Sequence, residues 1–294
     1  MQIVHLSKFL TLSLLVAALQ PFSAQAADSQ AQQSVSVTFI ANEGILVAGS
    51  QARVVIDGLF TDSYGIFQVP DPITLTKLQA AEPPFDHLTV LLATHKDGDH
   101  VTHAIVSQHL LADPDCAFYA PAEVTEMFKT LPEYAQLAGR LHSVTSTGFG
   151  DNFLVGDVKI RAIPLPHLPR PAGMSDMPAN VGYLFKIDGI TFFHTGDTSG
   201  DNLAALQRAK LAEANIDVVI INWLAFIPED GRHARAMLQY LRPKTVLLAH
   251  LTRKGAAEEA AKIQKIEGLP LIVLLDTPLR EYKVTCEGLV LAVK

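Results

Sequence analysis

Thr94-His95-Lys96-Asp97-Gly98-Asp99-His100 follows the nearly continuous apolar run His87–Ala93 and precedes Ala104–Leu111, whose composition suits a helix. An unbroken apolar run of this length reads as a strand buried on both faces, which needs neighbouring strands and covering helices. The segment is therefore a loop at a strand's C-terminal end, where open α/β folds place their sites. Two imidazoles and two carboxylates in one such loop are metal-ligand chemistry. A solvated polar turn that happens to hold two histidines is the alternative at this point.

The rest of the chain repeats the strand–loop–helix rhythm. Val35–Ile40 alternates, and Gly44–Gly49 with Ala52–Gly58 continues it as a meander. Strands are expected around Asp157–Ile163, Val181–Phe193, Ile216–Asn222, Thr245–Ala249, Pro270–Leu275 and Glu281–Val293. Helices are expected at Pro121–Leu131, Asn202–Ala214, Ala234–Leu241 and Ala256–Ile266. Residues 61–86, with Pro70, Pro72, Pro83 and Pro84, predict an extended excursion over the surface. No linker or repeat divides the chain. Residues 27–294 therefore predict one layered α/β domain, with two sheets inside and helices outside.

Residues 1–26 read differently. Lys8 precedes the short apolar run Phe9–Leu19, Pro21 breaks it, and Ala24-Gln25-Ala26 offers small residues where a signal peptidase cuts. This layout predicts a removable secretory leader and a periplasmic or secreted protein; a retained membrane anchor is the alternative. The leader and the buried strands together account for the positive mean hydropathy of +0.23. A formal charge of −7, from 23 basic and 30 acidic residues, argues against a nucleic-acid partner. Export would put Cys116 and Cys286 in an oxidising compartment, either paired or as two separate buried thiols.

Three later residues strengthen the metal reading. His167 sits in Pro164-Leu165-Pro166-His167-Leu168-Pro169, Asp197 directly follows a strand in His194-Thr195-Gly196-Asp197, and His250 ends Val246-Leu247-Leu248-Ala249-His250. Each alone reads as a turn or cap residue. Together, in this order after the loop, they form one constellation.

With these residues in place, the chain from about Val35 to Ile266 resembles the metallo-β-lactamase-fold superfamily. That family's pattern is a His-x-His-x-Asp-His loop followed by a distant His, Asp and His. Gly44–Phe60 resembles its opening hairpin ending in an aspartate, here Asp57, and Gly182–Asp197 resembles the strand pair leading to its bridging aspartate. Within the superfamily the chain is most similar to ascorbate-lactonase-like metallohydrolases. The resemblance implies a four-layer αββα sandwich. It also implies two divalent ions, zinc with iron or manganese as alternatives, and a metal-bound hydroxide that attacks a small lactone, another ester or amide, or a phosphodiester. On the matching positions, His95 and His167 hold the first ion. Asp99, His100 and His250 hold the second, Asp197 bridges, Asp99 also serves catalysis, and Asp57 orders the loop without binding metal.

Asp97 departs from the pattern, standing where a histidine is usual. As a ligand it would lower the charge of a hydroxide-bridged pair of ions from about +1 to about 0 and favour harder ions. That departure motivates two competing readings, a diiron redox protein and a non-catalytic metal- or ligand-binding protein on the same fold. Lys96 either offsets the charge or points to solvent. Arg170 is a candidate for an anionic substrate group. His103 either lines the pocket or lies on a helix surface, and His194 is expected to be buried beside Asp197. Trp223, Phe226 and His233 form either a substrate wall or an ordinary packing cluster.

Overall fold

Short apolar strands dominate the computed structural model, which describes residues 34–170 and 176–293; the expected leader lies outside the described residues. The strands are, in chain order, β1 (Ser34–Ala41), β2 (Gly44–Ala48), β3 (Arg53–Ile56), β4 (Val90–Leu92), β5 (Ala117–Pro121), β6 (Leu141–Val144), β7 (Asp151–Val155) and β8 (Val158–Pro164). They continue with β9 (Val181–Ile187), β10 (Ile190–His194), β11 (Val218–Asn222), β12 (Thr245–Ala249), β13 (Leu271–Leu274), β14 (Glu281–Thr285) and β15 (Gly288–Val293). The helices are α1 (Pro72–Gln79), α2 (His103–Ala112), α3 (Ala122–Met127), α4 (Tyr134–Leu137), α5 (Leu203–Arg208), α6 (Arg232–Leu241) and α7 (Ala256–Ile263).

Two sheets result, ordered β15-β14-β1-β2-β3-β4-β5-β6 and β13-β12-β11-β10-β9-β8-β7. Each is mixed. β3 through β6 run parallel, as do β10 through β13, while the hairpins at the other ends are antiparallel. The inner faces meet in a core that includes Val37, Phe39, Val54, Tyr183, Phe185, Phe192 and Leu247. On the outer face of the first sheet, Leu78, Val106, Leu110 and Val124 of the helices pack against Leu91 and Phe118. On the outer face of the second, Leu206, Met237, Leu241 and Ile263 pack against Val219 and Leu248. This is the expected four-layer αββα sandwich. The fully buried β11 and β12 each carry apolar side chains on both faces, as strands covered on both sides require.

Expectation and structure differ at four places. Residues 61–86 are not simply extended, because α1 lies within them. Asp71 accepts the backbone N–H groups of Ile73 (2.9 Å) and Thr74 (3.1 Å), and Pro72 occupies the first turn. An aspartate before a proline is a helix start, and the density of prolines obscured it. The expected helix at Pro121–Leu131 begins only at Ala122, since Pro121 closes β5. The β5, β6 and β7 strands are short segments without a long apolar run, and the periodicity does not disclose them. The two cysteines are free: Cys116 is buried, whereas Cys286 is exposed at the turn between β14 and β15 rather than buried.

The topology sets the position of the site. β3 and β4 run parallel, and β8, β10 and β12 share a direction within the second sheet. Their C-terminal ends lead into Asp57, the His95–His100 loop, His167, Asp197 and His250. Tyr183 ties the two sheets together beneath this edge, donating its buried hydroxyl to the carbonyls of Ala93 (2.9 Å) and Tyr119 (3.2 Å).

Candidate metal centre

Asp57 organises the loop after β4. Its Oδ1 accepts the Thr94 backbone N–H (2.8 Å), and its Oδ2 accepts both the Thr94 hydroxyl (2.7 Å) and His100 Nδ1 (2.9 Å). The Thr94 hydroxyl, having donated to Asp57, accepts a hydrogen bond from His95 Nδ1 at 2.9 Å. His167 Nδ1 donates to the Leu168 carbonyl at 2.8 Å. With Nδ1 donating in all three rings, Nε2 is the atom left to bind a metal when the ring is neutral, the tautomer that a metal ligand needs. One buried carboxylate thus sets two of the imidazoles, one directly and one through a threonine.

These nitrogens converge. Asp197 Oδ2 lies 3.7 Å from His100 Nε2, 3.7 Å from His167 Nε2 and 3.4 Å from His250 Nε2. Asp99 Oδ2 lies 3.2 Å from His250 Nε2 and 3.8 Å from His100 Nε2, and it accepts from Asn42 Nδ2 at 3.1 Å. Asp97 Oδ2 stands 3.6 Å from both His95 Nε2 and His167 Nε2. The structure therefore brings together all seven residues that the sequence singled out. Donor atoms group as His95–His167–Asp197 and Asp99–His100–His250, each set within 4.8 Å.

Most of these separations are too long for hydrogen bonds. They match instead the edge of a coordination polyhedron, since ligands at about 2.1 Å from a tetrahedral ion lie about 3.4 Å from one another. The Nε2 atoms of His95, His100, His167 and His250, together with Asp197 Oδ1, are buried without any hydrogen-bond partner. Buried polar atoms left unpartnered are costly, and five aimed at one small volume are accounted for by cations. The residues fit bound metal.

Gly196 makes the approach of Asp197 feasible. Its φ is +55°, and a Cβ there would stand 2.4 Å from Asn180 Oδ1 and 2.7 Å from Thr94 Cβ. Gly44 plays the same part opposite, where a Cβ would meet the Asp57 carbonyl at 2.7 Å. Both allow backbone to pass close to the loop that carries the donors.

Electrostatics divide the two positions. Burial opposes charge on His250, but Asp197 and Asp99 overcome it and raise the imidazole to about 10. His100 is likewise raised against burial by Asp99, Asp197 and Asp57. His167 moves the other way, lowered to about 4 by burial and by neighbouring His95. Around neutrality a metal must therefore displace protons from His100 and His250 but not from His167. Affinity at the Asp99–His100–His250 position is expected to rise by roughly tenfold per pH unit for each proton displaced between pH 6 and 8. His167, already neutral there, should add no such dependence. Chelator competition at three pH values measures both, and equal slopes would refute the division.

Arg170 answers the charge of Asp97. Its Nη2 contacts both carboxylate oxygens, an ion pair between partners far apart in sequence. Burial works against the Asp97 carboxylate, but His95 and Arg170 together hold it well below the usual range. The guanidinium restores the positive charge that the carboxylate removes, which ties Arg170 to the candidate centre. Lys96 does not share this task, because it pairs with Asp176 and with Glu123 (3.2 Å). His103 opens α2 and packs edge-on to Phe128. His194 is buried, its Nε2 donating to the Glu43 carbonyl at 3.1 Å. Trp223 and Phe226 line a cavity of about 790 Å³ among Ile227, Ile263 and Ile266, and none of the seven donor residues borders it.

Sequence reasoning missed Asn42 and Glu43. Both lie in the tight turn from β1 to β2, where polar residues ordinarily face solvent, yet both are buried. The turn is covered because it faces the second sheet: the His250 backbone N–H donates to the Asn42 carbonyl at 2.9 Å. A carboxylate and an amide beside glycine offer no periodic signal that would separate this turn from a solvated one.

Residues 52–267 match the family model described as the beta-lactamase superfamily domain. The chain belongs to this superfamily. A metal-dependent hydrolase of Thermococcus kodakarensis is 23% identical over 254 residues, covering 85% of this chain and 99% of that protein. Among solved structures, the metallo-β-lactamase fold protein YhfI of Bacillus subtilis superposes with a TM-score of 0.57 at 14% identity, covering 86% of this chain and all of that one. The diiron β-hydroxylase CmlA of Streptomyces venezuelae does so with a TM-score of 0.52 at 14% identity, over 86% of this chain and 54% of that one. Likeness at this level speaks for the superfamily fold alone.

Proposed function

We propose that this metal-dependent hydrolase is an exported enzyme that works with two divalent cations on a small lactone, another ester or amide, or a phosphodiester. The observation that carries the reading is the convergence of four buried, unpartnered imidazole nitrogens on carboxylates from both sheets. His95, His167 and Asp97 would hold the first ion, and Asp99, His100 and His250 the second, with Asp197 between them. Ions so held lower the pKa of a water molecule and polarise a carbonyl or phosphoryl oxygen.

The chain's own groups do the rest. Asp57 keeps His95 and His100 in one tautomer, so neither ring reorients when substrate arrives. Asp99, oriented by the Asn42 amide, is placed to accept the proton that a nucleophilic water gives up. Arg170 holds Asp97 ionised and in position. The leader-like residues 1–26 support export, and the mass of protein recovered from the exporting cell, expected to begin at Ala27, checks it.

Metal quantification on protein purified without added metal tests the central claim, followed by turnover on a lactone, phosphodiester and β-lactam panel. Two bound ions with chelator-sensitive hydrolysis are expected; absence of both metal and hydrolysis would end the reading. Asp97 also favours a diiron redox reading, which iron in place of zinc in the same measurement would support. Asp97→Ala is expected to empty the first position and lower turnover by about 10- to 100-fold. Retained occupancy and rate in that variant would show that Asp97 is not a ligand.

A further inference from the structure

Glu43 is the most heavily buried acid that the foregoing account leaves unused. Its side chain is 0% exposed, and neither carboxylate oxygen has a hydrogen-bond partner. The nearest imidazole cannot supply one. His194 Nδ1, 3.9 Å from Glu43 Oε2, already accepts the Gly196 backbone N–H at 3.2 Å, and His194 Nε2 donates to the Glu43 carbonyl. Asp57 is likewise spent on Thr94 and His100. A buried acid with no donor for its oxygens, or no acceptor for its proton, is among the most costly groups a fold can carry.

What Glu43 does face is the metal centre. One of its oxygens and one donor atom each of His100 and Asp197 lie within 4.8 Å of one another. His100 Nε2 and Asp197 Oδ1 are themselves buried and unpartnered. Resting on the two-cation reading above, we infer that Glu43 is a further metal ligand, giving a carboxylate oxygen to the ion held by Asp99, His100 and His250. It would reach that ion from the β1–β2 turn. The second position then exceeds four protein donors and becomes oxygen-rich, which favours manganese or ferrous iron over the tetrahedral, nitrogen-preferring zinc.

The full-length chain, stripped of metal, is titrated with Mn²⁺, Zn²⁺ and Co²⁺ as wild type, Glu43→Leu and Glu43→Gln. Both variants are expected to bind the second equivalent at least about tenfold more weakly, because even loss of a group outside the coordination sphere costs that much. The loss should be larger for Mn²⁺ than for Zn²⁺, and the visible absorption of the Co²⁺ form should intensify as its coordination number falls. Without metal, Glu43→Leu should melt no lower than wild type, since the substitution removes an unpartnered buried carboxyl. Should leucine prevent folding, the isosteric glutamine variant carries the same comparison. Unaltered affinities and an unaltered Co²⁺ spectrum overturn the role of Glu43 while leaving the two-cation reading intact. A wild type that binds no ion overturns both.

Discussion

Asp197→Asn is expected to lower metal-dependent hydrolysis by roughly 10³-fold, the scale on which losing one preorganised charged group acts in an active site. It should also leave the protein holding one ion or none. The reason is geometric: one oxygen, Asp197 Oδ2, lies between 3.4 and 3.7 Å from imidazole nitrogens of three different histidines, drawn from both donor sets. Asparagine preserves the shape but replaces an anion by a neutral amide with a single acceptor oxygen. In the two-cation reading proposed above, the ions would then have less negative charge between them. Stability without metal should fall, because Asp197 compensates the buried, protonated His100 and His250, and the amide leaves that charge less compensated. Elemental analysis and turnover on the same preparation read the result. Two ions retained, with a rate within tenfold of wild type, would remove Asp197 from the bridging role.

The second large effect is expected at Asp57, whose carboxylate oxygens are taken up by Thr94 and His100. Asp57→Ala removes the acceptor for the Thr94 N–H, the Thr94 hydroxyl and His100 Nδ1 in a fully buried setting. Breaking such a buried charged network by deleting one partner costs about 3–5 kcal/mol, which urea unfolding of the metal-free protein would register. Metal affinity should fall about 10- to 100-fold at both positions, because Asp57 fixes His100 directly and His95 through Thr94. A variant that loses affinity at the His100 position only would show that the threonine relay does not act.

The same aspartate gives a sign for acid behaviour. Burial works against its charge, but His100 prevails and the carboxyl lies below its ordinary value. The unfolded chain therefore binds the proton first as pH falls. The contribution of Asp57 is full above about pH 4, the ordinary aspartate range, and is lost as pH falls further through the folded value. In the Asp57→Ala variant that loss should be absent from the metal-free stability profile.

Much of the centre was legible in the sequence, for a physical reason. Metal ligands are a short list of residue types, and parallel strands deliver them at C-terminal ends, so His95, Asp99, His100, Asp197 and His250 announce themselves by type and local position. The layered fold was legible from the same runs, since a strand apolar on both faces demands cover on both faces. Helix α1 was obscured by the prolines around it, although Asp71-Pro72 is itself a helix start. The short β5, β6 and β7 carried too few residues to show a period.

The partner of Asp97 was not legible at all. A carboxylate in a histidine's place reads from sequence as a loss of positive charge, and only the folded chain shows Arg170 against both of its oxygens. Glu43 is similar, a hairpin-turn glutamate that local chemistry would leave in solvent and that the second sheet buries.

The opening loop makes the division clear. Residue type and strand pattern determined by themselves that Thr94–His100 sits at a strand end with four potential ligands, because those properties are encoded within a few residues. Tertiary structure decided which nitrogen of each ring is free, which oxygens meet it and which charges answer Asp97. These depend on Asp57, Asn42, Arg170, Asp197 and His250, which come within a few ångströms of the loop only when the two sheets close on one another.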